Sequence, residues 1–560
     1  MTNSHGAAKN GQHMTPQYIV DFMLNNIGYN GEQILRKKIM EPSFGDGVFL
    51  CEIVRRLICV AKGEKFNNGQ IANLLQNNIF GIEKDENLYL ACISNLNRVL
   101  AKEHIVGVNW KKNLKKGDTL ELFYSTLNSF DYVVGNPPYI RIHDMSEKSR
   151  KATEKLWFSQ GMQDLYISFY EMGIRMLRSN GVMSYISPNS FLKNASQKQF
   201  RQYLIDKELI DKIYDFKSIK IFDNADTYTC ITVLSKSNEQ PSQKSKMLTG
   251  QQGDCPVDLK YAARSPKENG IYYAALNGAM KAIEENHWSR EEFADQFSNR
   301  PWILTSASKS SVLISTWKSK AKLRDVSAVQ NGIATNKDSL YVIRAFSNKK
   351  LTSPVSWEWI HTQENVYFAD ETGKTHKIET AILRPCVKAS KYCGISDNTF
   401  IIFPYVCPGK KCKIIEENQM MEEFPNAYAY LSANREVLLR RNMEQGTVWY
   451  AFARSQGINQ INKDKIVFKH IIPCNAKTTA AWVLPAGTAV YSGLFVTEKE
   501  NDKLSLFDIC QVIQSEAFTQ YCILAGKDMS GGYVGVNSTI VGNFGIDSYL
   551  RQKQNFTVNS

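Results

Sequence analysis

The segment DYVVGNPPYIR, residues 131–141, sets an asparagine, two prolines and a tyrosine directly after an apolar run. Pro137 and Pro138 lack an N–H and fix φ at about −65°, so they can neither continue a strand's ladder nor enter a helix interior. The corner therefore offers carbonyl groups with no competing donor. The Asn136 side-chain oxygen and the Pro137 carbonyl can together accept both protons of an exocyclic amine. Such a pair of acceptors draws the nitrogen's conjugated lone pair toward a tetrahedral, nucleophilic form. Tyr139 adds a flat face for a base to stack on, worth about 1–3 kcal/mol. A plain turn would use the same four residues.

A second constellation, EPSFGDG at residues 41–47, lies between a strand-like run and an amphipathic stretch. Gly45 and Gly47 let backbone approach a ligand closely, and a helix start offers amide donors to an anionic group. The spacing is not GxGxxG, and a structural turn has the same look. Glu83 closes the next apolar run, where a carboxylate can accept two ribose hydroxyls. It lies 42 positions after Glu41, a longer connection than the usual twenty or so, with room for an extra helix. Asp118, in KKGDTLEL, is placed to end a third strand and accept from an adenine amine. One such acid alone reads as solvated surface. Three of them, at successive strand ends of one α/β unit, point to an adenosyl site.

The elements that must position these residues are visible as period changes. VFLCEIVRRLICVAK, ENLYLACISNLNRVLAK and DLYISFYEMGIRMLRS have helical spacing. NNIFGIEKD, SFDYVVG, GVMSYISP, LIDKIYDF and TYTCITVLSK read as strands. Strands alternating with helices predict an α/β domain on a mostly parallel, doubly wound sheet, which binds ligands beyond the carboxyl ends of its strands. Residues 237–246 are Ser/Gln/Lys-rich and mark a boundary or surface connection. The domains expected are 1–240, a connecting segment 241–299 partly packed on the first, and 300–560. One helix is expected in NGAMKAIEENH. From about residue 300 apolar runs alternate with turns and βαβ spacing is lost, which predicts an α+β domain.

At 560 residues the chain is too long for one core. It carries 68 Lys and Arg against 55 Asp and Glu, a net charge of +13 that favours a polyanionic partner. No run is long and apolar enough for a membrane span, and the first residues lack a signal peptide's apolar core. A cytoplasmic location is expected, with no membrane partner. The 12 cysteines have no framework spacing, which predicts reduced thiols. Cys386, Cys393, Cys407 and Cys412 form no CxxC pair, so chance thiols are expected and no metal.

NPPY after an apolar strand, behind EPSFGDG, resembles the amino-methyltransferases that use S-adenosylmethionine. HMTPQYIVDFML resembles the segment that closes over the methionine part of the cofactor, and QDLYISFYE the helix after the catalytic loop. GVMSYISPNSFL and IFDNADTYTCITVL resemble the last strands of that domain. The order of these parts is that of the gamma class of bacterial DNA adenine-N6 methyltransferases, commonly partners of restriction endonucleases. NGIATNKDSLYVI, LRPCVKASK, WYAFARSQG and STIVGNFGI resemble the family's target-recognition domain. The resemblance implies a Rossmann-like methyltransferase domain followed by an α+β recognition domain. It implies that Asn136, Pro137, Pro138 and Tyr139 hold a flipped adenine and that Phe222 stacks on its other face. Thr15, Pro16, Glu41, Pro42, Gly45, Gly47, Glu83, Asp118 and Asn136 match the cofactor positions. Two departures stand out: Glu41 where many relatives have Asp, and Asp46 between the glycines.

The activity so implied is methyl transfer to N6 of an adenine in duplex DNA, as the modification part of a restriction-modification system. A separately encoded endonuclease is the expected partner, because the chain starts almost at the cofactor segment; a monomer is expected. In the second half, Arg384, Lys388, Lys391, Arg440, Arg441 and Arg454 lie among Trp449, Tyr450 and Phe452, a composition suited to phosphate contacts. Arg454 and Gln456, in ARSQG, are candidates for reading guanine and adenine edges. Two alternatives remain at this stage: methylation of another planar amine, in a protein glutamine or an RNA base, and a catalytically dead DNA-binding protein.

Overall fold

The computed structural model describes residues 14–141, 144–158, 164–222, 227–236, 270–395, 397–499, 504–529 and 531–558. His13, residues 223–226 and the first part of the expected connecting segment, 241–269, lie outside these. The chain divides into two units, Met1–Ser308 and Lys309–Ser560.

In the first unit the apolar runs become strands β1 (Ile39–Glu41), β2 (Ile79–Glu83), β3 (Leu114–Lys116), β4 (Phe130–Gly135) and β5 (Leu177–Pro188). β6 (Ile210–Asp215), β7 (Thr229–Ser235), β8 (Gly270–Leu276) and β9 (Ala282–Ser289) complete one sheet of order β3-β2-β1-β4-β5-β7-β6-β8-β9. β3, β2, β1, β4 and β5 run parallel to one another. β7 runs antiparallel between β5 and β6, β8 parallel to β6, and β9 antiparallel to β8. β4 is buried at every position, as strands covered on both faces are. The sheet is mixed and mainly parallel, with the Rossmann-like order the sequence predicts.

Helices α1 (Gln17–Asn26), α2 (Val48–Gly63), α3 (Asn68–Asn78) and α4 (Glu86–Lys102) flank the first strands. α2 buries Phe49, Leu50, Ile53, Val54, Leu57, Ile58 and Ala61 along one stripe, the spacing of an amphipathic helix. α3 fills the long connection between Glu41 and Glu83, started by a capping box from Asn67 and Gln70. The chain builds β1, β2, β3 in one direction and then returns to place β4 on the other side of β1. Ligands bind at such a switch point, beyond the strand ends.

The helix expected in NGAMKAIEENH is instead the turn and strand of a β8–β9 hairpin. Asn277 Oδ1 accepts from the amides of Ala279 and Lys281, and Met280 takes a left-handed φ of +61°. The turn chemistry of Asn-Gly and pairing to β8 outweigh the helix propensity of Ala, Lys and Glu. The described end of the expected connecting segment thus extends the sheet.

The second unit is α+β. Strands Ser327–Asn331, Leu494–Glu498, Lys465–Phe468 and Ala481–Leu484 form an antiparallel sheet. Val342–Arg344, Thr399–Ile402, Leu383–Lys388 and Ala489–Tyr491 form a mixed one. Cys407 and Cys412 are joined by a disulfide, which corrects the expectation of thiols throughout. Pairing of Val406 with Lys413 in a short hairpin sets these two neighbours opposite each other. Cys386 and Cys393 are free. No described helix is long and apolar enough to cross a membrane.

Candidate active site

β1 ends at Glu41 and β2 at Glu83, with only 2% and 4% of their surfaces exposed. Glu83 is held by backbone: its Oε2 accepts from the Gly45 amide and its Oε1 from the Asp85 amide, both at 2.8 Å. One carboxylate therefore pins the glycine turn to the loop that opens α4. Glu41 differs. Its Oε2 is buried and has no hydrogen-bond partner among the described residues. Burial pushes the Glu41 pKa well above its usual value, and the neighbouring charges of Glu83 and Asp46 push it further. Burial also raises Glu83. Acids crowded in this way favour a cationic ligand.

The two glycines of the turn do different work. At Gly45, φ is +55° and an added Cβ would meet nothing within 4 Å, so this backbone faces open space. At Gly47, φ is +88° and an added Cβ would fall 2.4 Å from Cys92 Sγ, so this glycine serves the packing of α2 on α4. The Thr119 hydroxyl donates to the Pro42 carbonyl and secures the turn from a third loop.

Across the switch point, Asn136 follows the last residue of β4. Its Nδ2 donates to Thr15 Oγ1 at 3.2 Å, and its backbone carbonyl accepts from Ser43 Oγ at 3.3 Å. Segments remote in sequence, around Thr15, Ser43 and Asn136, are thereby joined. With Nδ2 committed, Oδ1 is the side chain's acceptor. Pro16 caps α1, its carbonyl accepting from Ile19 and Val20 at 3.0 and 3.2 Å. Pro137 is buried and Pro138 half-buried. The Tyr139 hydroxyl donates to the Ile186 carbonyl on β5 at 3.2 Å, fixing the ring.

Asp118 lies two residues beyond β3, where it caps a short helix through the Leu120 amide at 3.0 Å. Its other oxygen is 2.8 Å from Lys84 Nζ. Phe222 is buried, with its ring edge-on to Tyr139 at 6.2 Å between centroids and 70° between planes. A base sandwiched between these rings would require them to part and turn parallel. Ser43, Thr119 and Lys84 went unnoticed in the sequence, because nothing local marks a hydroxyl or ammonium that acts on a distant loop.

The residues singled out in the second half are spent largely on their own unit. Trp449, Tyr450 and Phe452 are core residues, exposed by 7%, 1% and 1%. Arg441 donates to the carbonyls of Thr335, Trp449, Ala451 and Leu438 and lies over the Tyr341 ring. Arg384 donates to the Ala381 and Leu383 carbonyls, and Arg454 to those of Asn442 and Ala453. Lys388 lies over Tyr491. Gln456, bonded to the Gly332 carbonyl at 2.9 Å, lines a cavity of about 560 Å³ with Asn331, Asn336, His470, Ser492 and Asn537. Among the described residues no group of His, Cys, Asp or Glu could hold a metal.

A sheet of this order, with acids closing the strands beside its switch point, is a Rossmann-like α/β arrangement. Residues 51–222 match the family described as Eco57I restriction-modification methylase. The chain is 22% identical to the type II restriction enzyme and methyltransferase RM.Eco57I of Escherichia coli, over 93% of this chain and 55% of that protein. It is 27% identical to the type II methyltransferase M.BstVI of Geobacillus stearothermophilus, over 61% of this chain and 62% of that one. M.BanIII of Aneurinibacillus aneurinilyticus is 22% identical over 91% and 85%. The chain thus spans 55% and 62% of the first two relatives. Among solved structures, the type IIL restriction-modification enzyme MmeI, in complex with DNA, superposes with a TM-score of 0.55 at 11% identity. That match covers 94% of this chain and 65% of MmeI.

Proposed function

We propose that the protein is a site-specific DNA methyltransferase that moves a methyl group from S-adenosylmethionine to N6 of an adenine extruded from duplex DNA, as the modification activity of a restriction-modification system. The single observation that carries this reading is the Asn136–Thr15 bond. It joins the amine-binding corner to the N-terminal segment, beside the buried, unpartnered Oε2 of Glu41 on the neighbouring strand end.

The site fits the cofactor. Glu41 suits its cationic groups, the open face of Gly45 leaves room for it, and Glu83 has lone pairs left for ribose hydroxyls. Asp118 must share its carboxylate with Lys84 to accept from the adenine ring. When bound, S-adenosylmethionine supplies a methyl group already activated on a sulfonium, so the protein need not offer a nucleophile. Asn136 Oδ1 and the Pro137 carbonyl accept the two protons of the target amine, and Thr15 keeps the amide turned the right way. Tyr139, held by Ile186, carries one face of the base and offsets part of the few kcal/mol that extrusion costs. Alignment of the amine with the methyl group is then the main catalytic effect. The amine's proton leaves to solvent after transfer.

Incubation with tritiated S-adenosylmethionine and unmodified duplex DNA, followed by nucleoside analysis, tests this. Label in N6-methyl-2′-deoxyadenosine at one sequence context is expected. Label in N4-methylcytosine would overturn the choice of base, and label in RNA or protein alone would overturn the substrate.

A further inference from the structure

β5 and β6 end side by side with β7, and one buried carboxylate ties their loops together. Asp215, the last residue of β6, is 4% exposed. Its Oδ1 accepts from Asn189 Nδ2 at 2.9 Å and from the Lys217 amide at 2.9 Å. Its Oδ2 is 3.4 Å from Lys217 Nζ. Asn189 immediately follows β5, and its own amide donates to the Tyr228 carbonyl at 2.9 Å. Lys217 begins the segment that leads to Phe222 and takes a left-handed φ of +52°, which a lysine adopts only when held there. Its ammonium donates to the Leu304 carbonyl at 3.1 Å and lies over the Tyr273 ring. Phe216 donates its amide to Thr229 and accepts from Ile219, so the segment starts as a fixed turn.

The same strand end also fixes the other aromatic face. Tyr139 is bonded to the carbonyl of Ile186, three residues before Asn189. The two rings that meet at 6.2 Å are therefore both hung from the end of β5, Tyr139 directly and Phe222 through Asp215. None of Asp215, Asn189 and Lys217 belongs to the amine-binding corner or the acid cluster.

We infer that Asp215 is a positioning residue for base extrusion: it anchors the start of the Phe222 segment close to Tyr139, so that Phe222 stays within reach of an extruded base once the two rings part and turn. This rests on the reading above, in which Phe222 stacks on the base. A carboxylate suits the task because one group must satisfy an amide N–H, a side-chain NH₂ and an ammonium at once. Asparagine keeps the shape and one acceptor but loses the charge that faces Lys217; alanine loses every bond.

The test uses the full chain and a duplex with 2-aminopurine at the mapped target position. Asp215→Ala is expected to lower kcat about 10–100-fold, the scale of a displacement of about 1 Å. Its Kd for S-adenosylmethionine and for unmodified duplex should stay within about threefold of wild type, because Asp215 shares no partner with the acid cluster or the amine-binding corner and such separate sites add nearly independently. The 2-aminopurine emission should change in the same direction as in Phe222→Ala, and Asp215→Asn should recover part of both signals. Wild-type kcat and emission in Asp215→Ala would overturn the inference. So would a parallel loss of melting temperature and cofactor affinity with emission unchanged, which marks a merely structural residue. If Phe222→Ala itself emits and turns over like wild type, the stacking reading falls and this inference with it. Wild-type enzyme that labels no DNA at all sinks the parent proposal separately.

Discussion

The two units treat the residues singled out for function in opposite ways. In the first, Glu41, Gly45, Glu83 and Asn136 converge on one switch point, and the bonds among them cross from loop to loop. In the second, Arg441, Trp449, Tyr450 and Phe452 turn inward and are consumed by their own core. The difference lies in what each pattern constrains. Asn-Pro-Pro-Tyr and the glycine turn fix backbone conformation, which limits where the chain can go. Basic residues among aromatics fix only composition, and an arginine that finds carbonyls to bind is as content in a fold as on a phosphate.

The largest effect should come from the corner itself. Asn136→Ala is expected to lower methyl transfer by about 10²–10³-fold, the cost of losing one preorganised hydrogen-bonding group. The urea midpoint should hardly move, which separates chemistry from folding. Next comes the clamp of the second unit. Arg441→Ala should destabilise that unit by about 2–4 kcal/mol, from several charge-assisted bonds lost together. Arg440, 81% exposed and 4.0 Å from Glu436, should be replaceable by Ala with no shift of the melting temperature. If Arg441→Ala instead leaves the midpoint alone and reduces the salt slope of DNA binding by about 0.9, it holds a phosphate and the contrast between units collapses.

A pH experiment isolates Glu41. Glu41 has a folded pKa raised above its ordinary 4.5, so the native state binds more protons than the unfolded chain. Stability of the cofactor-free protein should therefore fall as pH rises from 4.5 through the raised value. Cofactor affinity should run the other way, rising as Glu41 ionises. Titration calorimetry across this range should show proton release on binding in wild type and much less in Glu41→Gln. The smallest effect belongs to the second unit. Lys465 is 2% exposed and donates to the Ile461 and Thr488 carbonyls. Burial pushes its pKa down to about 8 from 10.5. Here the unfolded chain binds more protons, so stability should gain from this residue as pH rises from about 8 to 10.5. A melting-temperature series against Lys465→Met isolates that slope.

Much of the first unit was legible in the sequence, and the reason is local. The periods of ENLYLACISNLNRVLAK and FDYVVG reappear as α4 and β4, because burial on one stripe or on both faces dictates them. The gap after Glu41 foretold α3. NGAMKAIEENH misled because its propensity is helical while its partner, β8, lies outside the segment. The thiols of Cys407 and Cys412 misled for a similar reason, since a hairpin register decided their meeting.

By itself, then, the sequence determined the alternation of strands and helices, the stiff corner after β4 and the acids at the ends of β1 and β2. These follow from backbone stereochemistry and from periodicity, which act over a few residues. Only the tertiary structure decided that both oxygens of Glu83 are paired with amides while Oε2 of Glu41 is left without a partner, and that Thr15 holds Asn136. It alone decided that Asp215 staples two loops and that Arg441 is a clamp. A hydrogen bond is set by the few ångströms between its partners, and that distance exists only once remote segments have packed.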